Sequence, residues 1–422
     1  MSASPSRYHV VTLGCPKNEV DSDKLEGTLI RDGMVRTENA DDADLVVVNT
    51  CAFIEDARQE SIDTVLALDD LKRDDARLVV TGCMAERYGE ELAEALPEID
   101  RVAGFGVPVS LGRKPLGLNV VTETVPSFDL LNLPRPKSRR PWAYLKVAEG
   151  CDRKCGFCAI PSFRGPQRSR AIADLVAEVE QLEVNEIVLV AQDLASYGRD
   201  VGRAGDIVKL VEAVQLHTDR VRLLYLYPSD LTDRLIDTIC ATGVPYFDLS
   251  LQHVSPALVR RMRRWGNGEK FLNRIEDIRG REPSATFRSN FIVGYPGETE
   301  DDHQQLLRFV EAAQLDWCGF FTYSAEEGTY AADLDGAVPF DLMQERLREL
   351  TEIQDRITAS RRVDLIGSEL TVLVDEAGVG RSHREAPEID GIITIPRSLE
   401  PGTFHRVGIV DSMGPDLHAE TT

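Results

Sequence analysis

Three times between residues 7 and 120 an apolar run closes on a small or polar residue and then a cysteine. The runs are Val10-Val-Thr-Leu-Gly-Cys15, Leu45-Val-Val-Val-Asn-Thr-Cys51 and Leu78-Val-Val-Thr-Gly-Cys83, and helical spacing follows each, at 20–32, 55–69 and 86–96. Continuous apolar runs alternating with helices predict parallel strands covered on both faces. Each cysteine-to-cysteine interval is one strand-helix unit long. Three thiols should therefore converge at one edge of the sheet, in the crevice beyond the strand ends where such folds bind ligands. Gly14 and Gly82, just before two of them, allow close backbone approach to a bulky group.

The pattern then changes. Four prolines within 126–141 exclude a regular helix or central strand and predict a solvated linker, with Lys137, Arg139 and Arg140 in its basic tail. Six strand-like runs follow, at 144–149, 186–192, 221–227, 246–252, 286–293 and 317–323, with helical patterns between them. Six such units with right-handed crossovers make an open partial barrel whose chemistry belongs at the carboxyl ends of its strands. Residues 341–362 place Leu342, Leu347, Leu350, Ile353 and Ile357 at helical spacing, a packing helix. Short alternating runs at 369–374, 391–395 and 404–410 predict a small β-barrel or sandwich. The expected organisation is a first domain at 7–122, a linker at 123–141, a central domain at 142–362 and a β domain at 363–422.

Composition narrows the function classes. The chain has 422 residues, enough for two or three domains with real cores, and a formal net charge of −23. That charge argues against general affinity for nucleic-acid backbone and favours a basic partner, though solubility alone would account for it. Within 363–422 four arginines (Arg381, Arg384, Arg397, Arg406) face eleven carboxylates, the reverse of a module built to hold RNA phosphates. The N-terminal stretch MSASPSRYHV has no apolar signal region and no run is long enough to span a bilayer, so a cytoplasmic location without membrane contact is expected. Eight cysteines are too sparse for a disulfide scaffold.

The first strand of the central domain ends in Cys151-Asp-Arg-Lys-Cys155-Gly-Phe-Cys158. Three thiols in one short loop, with no fourth nearby, can hold an iron-sulfur cluster and leave one iron open. A structural zinc site would want four ligands, and a disulfide an oxidising compartment. Cys15, Cys51 and Cys83 form a second candidate trio, against the alternative that each is a small core residue. Cys240 and Cys318 read as core packing. Polar residues close other strands: Gln192 and Asp193, Tyr227-Pro228-Ser229, and Gln252-His253. In the fifth unit, Asn290 precedes a turn with Gly294 and Gly297, whose close approach hints at a cofactor, and Thr299 with Asp302 makes a capping box. No phosphate-binding loop occurs, and Gly104-Phe-Gly106 lacks the context of a dinucleotide site.

The loop Cys151–Cys158 resembles that of the radical S-adenosylmethionine (SAM) enzymes. Three strand-end cysteines, that loop and a C-terminal β module, in this order, resemble the methylthiotransferases over essentially the whole chain. The stretches 149–165, Leu251-Gln-His253 and Ala386-Pro-Glu-Ile-Asp-Gly391 look most like the branch that methylthiolates an aspartate in the twelfth protein of the small ribosomal subunit. The resemblance implies an α/β fold with a flavodoxin-like parallel domain, a (β/α)6 partial TIM barrel as radical SAM core and a small all-β barrel like the TRAM domain. It implies two 4Fe-4S clusters, on Cys15, Cys51 and Cys83 and on Cys151, Cys155 and Cys158. SAM would chelate the open iron of the second and yield a radical able to attack an unactivated C–H bond, and the first would carry the sulfur. Phe157, Gln192, Asp193 and Asn290 are the candidates for the SAM pocket. Expected partners are the basic ribosomal protein, alone or within the ribosome, and an electron donor. A tRNA adenosine methylthiotransferase, which shares the cysteines, and a non-catalytic iron-sulfur ribosome-binding protein are the alternatives. The acidic C-terminal module favours the protein substrate.

Overall fold

A computed structural model describes residues 5–109 and 129–421. The expected boundary at 122/123 and residues 126–128 lie outside the described residues. The chain divides into two compact units, Met1–Lys137 with Ala159–Pro166, and Ser138–Cys158 with Gln167–Thr422.

In the first unit, β1 (Arg7–Thr12), β2 (Val35–Arg36), β3 (Leu45–Thr50), β4 (Arg77–Gly82) and β5 (Arg101–Ala103) form one parallel sheet in the order β2-β1-β3-β4-β5. That is the flavodoxin-like order. The apolar pattern misses β2 and β5 because runs of two and three residues carry no periodicity. Helix α1 (Pro16–Arg31) buries Leu25 and Leu29 against Tyr8, Val10 and Val47 on one face. Helices α2 (Glu55–Leu71) and α3 (Cys83–Ala95) bury Val65, Leu68 and Leu92 against Val46, Val48 and Val80 on the other. The covering helices change sides between β1 and β3, so the loops after these strands diverge and leave a crevice. The short helix α4 (Ile160–Arg164) completes this unit.

The described part of the proline-rich stretch is packed rather than solvated, a correction to the expected linker. Leu130 and Leu131 are buried, Lys24 donates to the Leu131 carbonyl at 2.6 Å, and Arg135 pairs with Asp23. Its two leucines bury apolar area that a solvated linker would leave in water.

In the second unit β6 (Trp142–Lys146) leads into β7 (Ala148–Glu149), which pairs with β8 (Arg168–Ser169). Strands β9 (Glu186–Val190) and β10 (Arg220–Leu223) extend β6, while β11 (Tyr246–Gln252), β12 (Thr286–Val293) and β13 (Trp317–Thr322) form a second parallel trio. The bridge Leu226↔Leu249 joins the two into an open half-barrel of six parallel strands in chain order. Alternate residues such as Leu145, Leu189, Leu223, Phe247 and Phe291 meet the helices, which are α5 (Ile172–Leu182), α6 (Asp206–Gln215), α7 (Asp233–Ala241), α8 (Pro256–Arg261), α9 (Gly268–Arg281), α10 (Glu300–Ala313) and α11 (Phe340–Val363). Cys240 and Cys318 pack against this core, and Thr299 with Asp302 caps α10 as expected. The close approach at Gly294 lets α11 pack: with φ +81°, a Cβ there would lie 2.2 Å from Met343 Sδ.

Strands β14 (Glu369–Glu376), β15 (Val379–Arg381), β16 (Ile393–Thr394), β17 (Phe404–Met413) and β18 (Asp416–Thr421) close into a small barrel around Val372, Val374, Ile393, Val407 and Leu417. Its loop 381–391 seats against all six strands of the half-barrel near their amino ends. Tyr144 donates to Pro387 O at 2.9 Å, Arg222 to His383 O at 2.9 Å, Tyr246 to Asp390 at 2.6 Å and Trp317 to Arg384 O at 2.7 Å. Arg288 of β12 lies 3.5 Å from Asp390. At the centre, Glu186 of β9 takes Arg222 at 2.7 Å and Arg381 at 3.2 Å, and all three side chains are at most 2% exposed.

Burial pushes the Glu186 carboxyl up, but Arg222 and Arg381 outweigh it and bring it down to about 2. Glu186→Ala leaves two buried guanidiniums short of their shared partner and is expected to cost about 3–5 kcal/mol in chemical denaturation. Breaking the exposed pair Arg406–Glu369 by Glu369→Ala should cost about 0–1 kcal/mol. The Glu186 contribution is fully present above its unfolded value of 4.5 and is lost as pH falls towards about 2, so the Glu186→Ala deficit should shrink across that window.

Candidate functional site

In the first unit β1, β3 and β4 end level, with Thr12 opposite Asn49 and Asn49 opposite Thr81. Cys15, Cys51 and Cys83 therefore leave the sheet together, the first two flanking the crevice between β1 and β3. Gly14 and Gly82 make this approach possible, though what they admit is the neighbouring strand end. A Cβ on Gly14 would lie 2.8 Å from Cys51 Cβ and 2.9 Å from its Sγ, and one on Gly82 would lie 2.6 Å from Thr50 O. Both adopt φ near +90°, a conformation that favours glycine. Asn18 at the start of α1 ties the crevice together by donating to Leu13 O at 2.9 Å and Thr50 O at 3.0 Å.

Cys51 and Cys83 are buried and Cys15 is partly so. Burial pushes the Cys51 thiol up to about 11 and raises Cys83, while the nearby Lys17 and Arg164 charges hold Cys15 below its usual value against its own burial. Desolvated thiols of this kind become thiolates when a bound cation supplies the missing solvation. Among the described residues, no three His, Cys, Asp or Glu side chains are gathered tightly enough to hold a single metal ion. Thiolate is the ligand of iron-sulfur clusters and three of them leave one iron open, whereas a structural zinc site takes four ligands, so the chemistry of the donor set fits a cluster better than zinc.

In the second unit the loop Cys151–Cys158 follows β7 and is anchored on three sides. Arg153 pairs with Asp193 at 2.6 Å and with Asp230, and its guanidinium lies 3.8 Å from the centre of the Tyr227 ring. Arg264 covers Tyr227 at 4.3 Å and donates to Cys155 Sγ at 3.0 Å. The Gly156 amide donates to Met262 O at 2.8 Å, and a Cβ there would lie 2.8 Å from the Tyr295 hydroxyl. Phe157 packs against Leu258, Met262, Tyr295 and Ala331. Burial pushes Cys151 up to about 11, as it does Cys51.

Two of the four pocket candidates thus anchor the loop: Phe157 through apolar contact and Asp193 through Arg153. Asp193 Oδ1 is nonetheless buried without a partner, a condition that the other two candidates share. Gln192 donates to Glu149 at 2.8 Å, but its Oε1 is buried without a partner, as is Asn290 Oδ1. Tyr323 OH shares this condition. Strand alternation puts Gln192 in phase with Glu186, and Asn290 with Arg288, on the inner face of the half-barrel. Unsatisfied buried polar atoms at the carboxyl ends of these strands fit a site that a polar ligand completes. His253 is fully buried and accepts from the Ser255 amide at 3.1 Å, with burial pushing it down to about 4, a neutral turn residue. Sequence reasoning missed the three arginines that touch or brace the trios, Arg153, Arg164 and Arg264, since nothing in their spacing distinguishes them from surface charges.

Three family models match the chain: Uncharacterized protein family UPF0004 over 7–104, the Radical SAM superfamily over 145–310 and the TRAM domain over 366–422. The chain is 41% identical to ribosomal protein uS12 methylthiotransferase RimO of Cutibacterium acnes, across 97% of each chain. It is 40% identical to the protein of the same description from Myxococcus xanthus, across 99% of this chain and 92% of that one. Among solved structures, the radical S-adenosylmethionine methyltransferase TsrM of Kitasatospora setae aligns over 94% of this chain and 84% of its own at 14% identity, with a TM-score of 0.47.

If Asn290 Oδ1 is completed by SAM, Asn290→Ala should leave stability of the metal-free protein within about 0.5 kcal/mol, because no hydrogen bond is lost. SAM binding to the reconstituted protein, measured by equilibrium dialysis, should weaken severalfold, by about 1 kcal/mol. Lost stability with unchanged SAM binding would remove Asn290 from the pocket.

Proposed function

We infer, from the premise that this chain belongs to the family of ribosomal protein uS12 methylthiotransferases, that it adds a methylthio group to the β-carbon of an aspartate in the twelfth small-subunit ribosomal protein, using two molecules of SAM and two 4Fe-4S clusters. What carries the reading is the pair of thiol trios at the carboxyl ends of two parallel sheets, in a chain 41% identical to such an enzyme over nearly its whole length. When bound, the clusters supply electron transfer to SAM and a sulfur atom to be methylated, chemistry that no side chain offers to an unactivated C–H bond.

The protein's own part is holding and orienting. Cys151, Cys155 and Cys158 would hold the SAM-binding cluster, in a loop kept in place by Arg153 and its partners Asp193 and Asp230. Cys15, Cys51 and Cys83 would hold the other. Gln192 and Asn290 would meet SAM with the oxygen atoms that otherwise lack partners. The loop 381–391 closes the amino ends of the half-barrel, which leaves approach from the carboxyl ends, where the chemistry belongs.

The C-terminal barrel supports a basic protein over RNA as the partner. Two of its four arginines, Arg381 and Arg384, turn inward against the half-barrel. Glu376, Glu400, Asp411 and Glu420 stay exposed on the barrel. Such a surface attracts a basic ribosomal protein and repels phosphate. We place the reaction in the cytoplasm, on the free protein or on the ribosome, with an electron donor as second partner. Among the described residues no helix is long and apolar enough to cross a membrane.

Mass spectrometry of a strain lacking this protein should find the uS12 aspartate without its methylthio group and tRNA modification intact. Wild-type protein should restore the modification and Cys51→Ala should not, while Cys51→Ala reconstituted anaerobically keeps the iron of one cluster and still cleaves SAM under reduction. Persistence of the uS12 modification in the deletion strain would overturn the assignment.

A further inference from the structure

Arg164 is six residues past Cys158 in sequence, and its side chain is 3% exposed. Its guanidinium donates to Asn18 Oδ1 at 2.8 Å, lies 3.3 Å from Asp21, stacks 4.4 Å from the centre of the Phe105 ring and donates to Cys83 Sγ at 3.0 Å. A buried guanidinium needs partners, and Asp21 with Asn18 would meet that need. The contact to sulfur is surplus to it. A neutral thiol is a weak acceptor, whereas a thiolate takes a charge-assisted hydrogen bond of the strong kind. The geometry is also held rigidly: Asn18 is fixed through its own two bonds to Leu13 O and Thr50 O, so its Oδ1 orients the guanidinium.

We propose that Arg164 is a positioning residue for the cluster of the first unit, donating a fixed hydrogen bond to the Cys83 sulfur that raises the potential at which this cluster takes up an electron. The proposal rests on the reading of Cys15, Cys51 and Cys83 as cluster ligands. Hydrogen bonds to cluster sulfurs and nearby positive charge stabilise the reduced, more negative state, so donor loss lowers the potential. The same residue pairs with Asp21 to anchor helix α4, which begins two residues after Cys158. A purely structural arginine would affect stability and leave the potential alone.

The test uses the full chain with Cys151, Cys155 and Cys158 replaced by alanine, reconstituted anaerobically with iron and sulfide so that the first unit's cluster is the one observed. Optical and electron paramagnetic resonance redox titrations then compare this parent with Arg164→Met and Arg164→Lys at matched iron content. The midpoint should fall in Arg164→Met, with Arg164→Lys between it and the parent. Coincident midpoints would overturn the proposal and leave the ligand reading standing. Should Arg164→Met fail to fold, Arg164→Lys decides: a lowered midpoint supports the donor role and an unchanged one overturns it. If the parent takes up no cluster, or keeps it equally well with Cys83→Ala added, the ligand reading fails and the proposal with it.

Discussion

In a parallel sheet every strand delivers its following loop to the same edge, and this constraint underlies both thiol trios. A cluster with three protein ligands needs three sulfurs held in one place. The first unit brings its thiols to one edge through three successive strand-helix units whose strands end level, with one cysteine per unit. The second places all three cysteines in the loop after its first strand and recruits the ends of the other strands to brace them. Asp193 follows β9, Tyr227 and Asp230 follow β10, and Arg264 lies beyond β11. The two solutions use the same edge rule at different sequence cost.

The opposite end of the half-barrel is closed by charge. Glu186, Arg222 and Arg381 form a buried ionic centre with carbonyl groups of the 381–391 loop around it. Such a centre is costly unless every member is paired, which makes it selective: the loop is stabilised in the arrangement that completes the pairs. The inner faces of the strands are thus polar by design at both ends. At the amino ends Glu186, Arg222 and Arg381 pair with one another, though Arg384 Nε lacks a partner, and at the carboxyl ends Gln192, Asn290 and Tyr323 keep oxygen atoms without partners. The stretch Ala386–Gly391, which contributes to the likeness with the protein-modifying branch, lies in the structural plug rather than beside the thiols.

Legibility in the sequence followed the range of the interactions involved. Strands β1, β3 and β4 of the first unit, the six strands of the half-barrel and the helix ending at Val363 were readable because apolar periodicity is written within each element. Strands β2, β5, β15 and β18 were not, being too short or too polar to show a period. The proline-rich stretch looked solvated from composition, yet Leu130 and Leu131 bury it. The glycines at 14, 82 and 294 were recognisable as close approaches, but their neighbours proved to be Cys51, Thr50 and Met343.

The sequence by itself determined the strand-helix alternation, the position of six cysteines at strand ends and the acidic balance of the last domain, because each is local pattern or plain composition. Tertiary structure alone decided which charges meet. Arg164 finds Cys83 across 81 residues and Arg381 finds Glu186 across 195. A long flexible side chain carries no periodic signature of its partner, and its choice is made by desolvation once the surrounding apolar surfaces have packed.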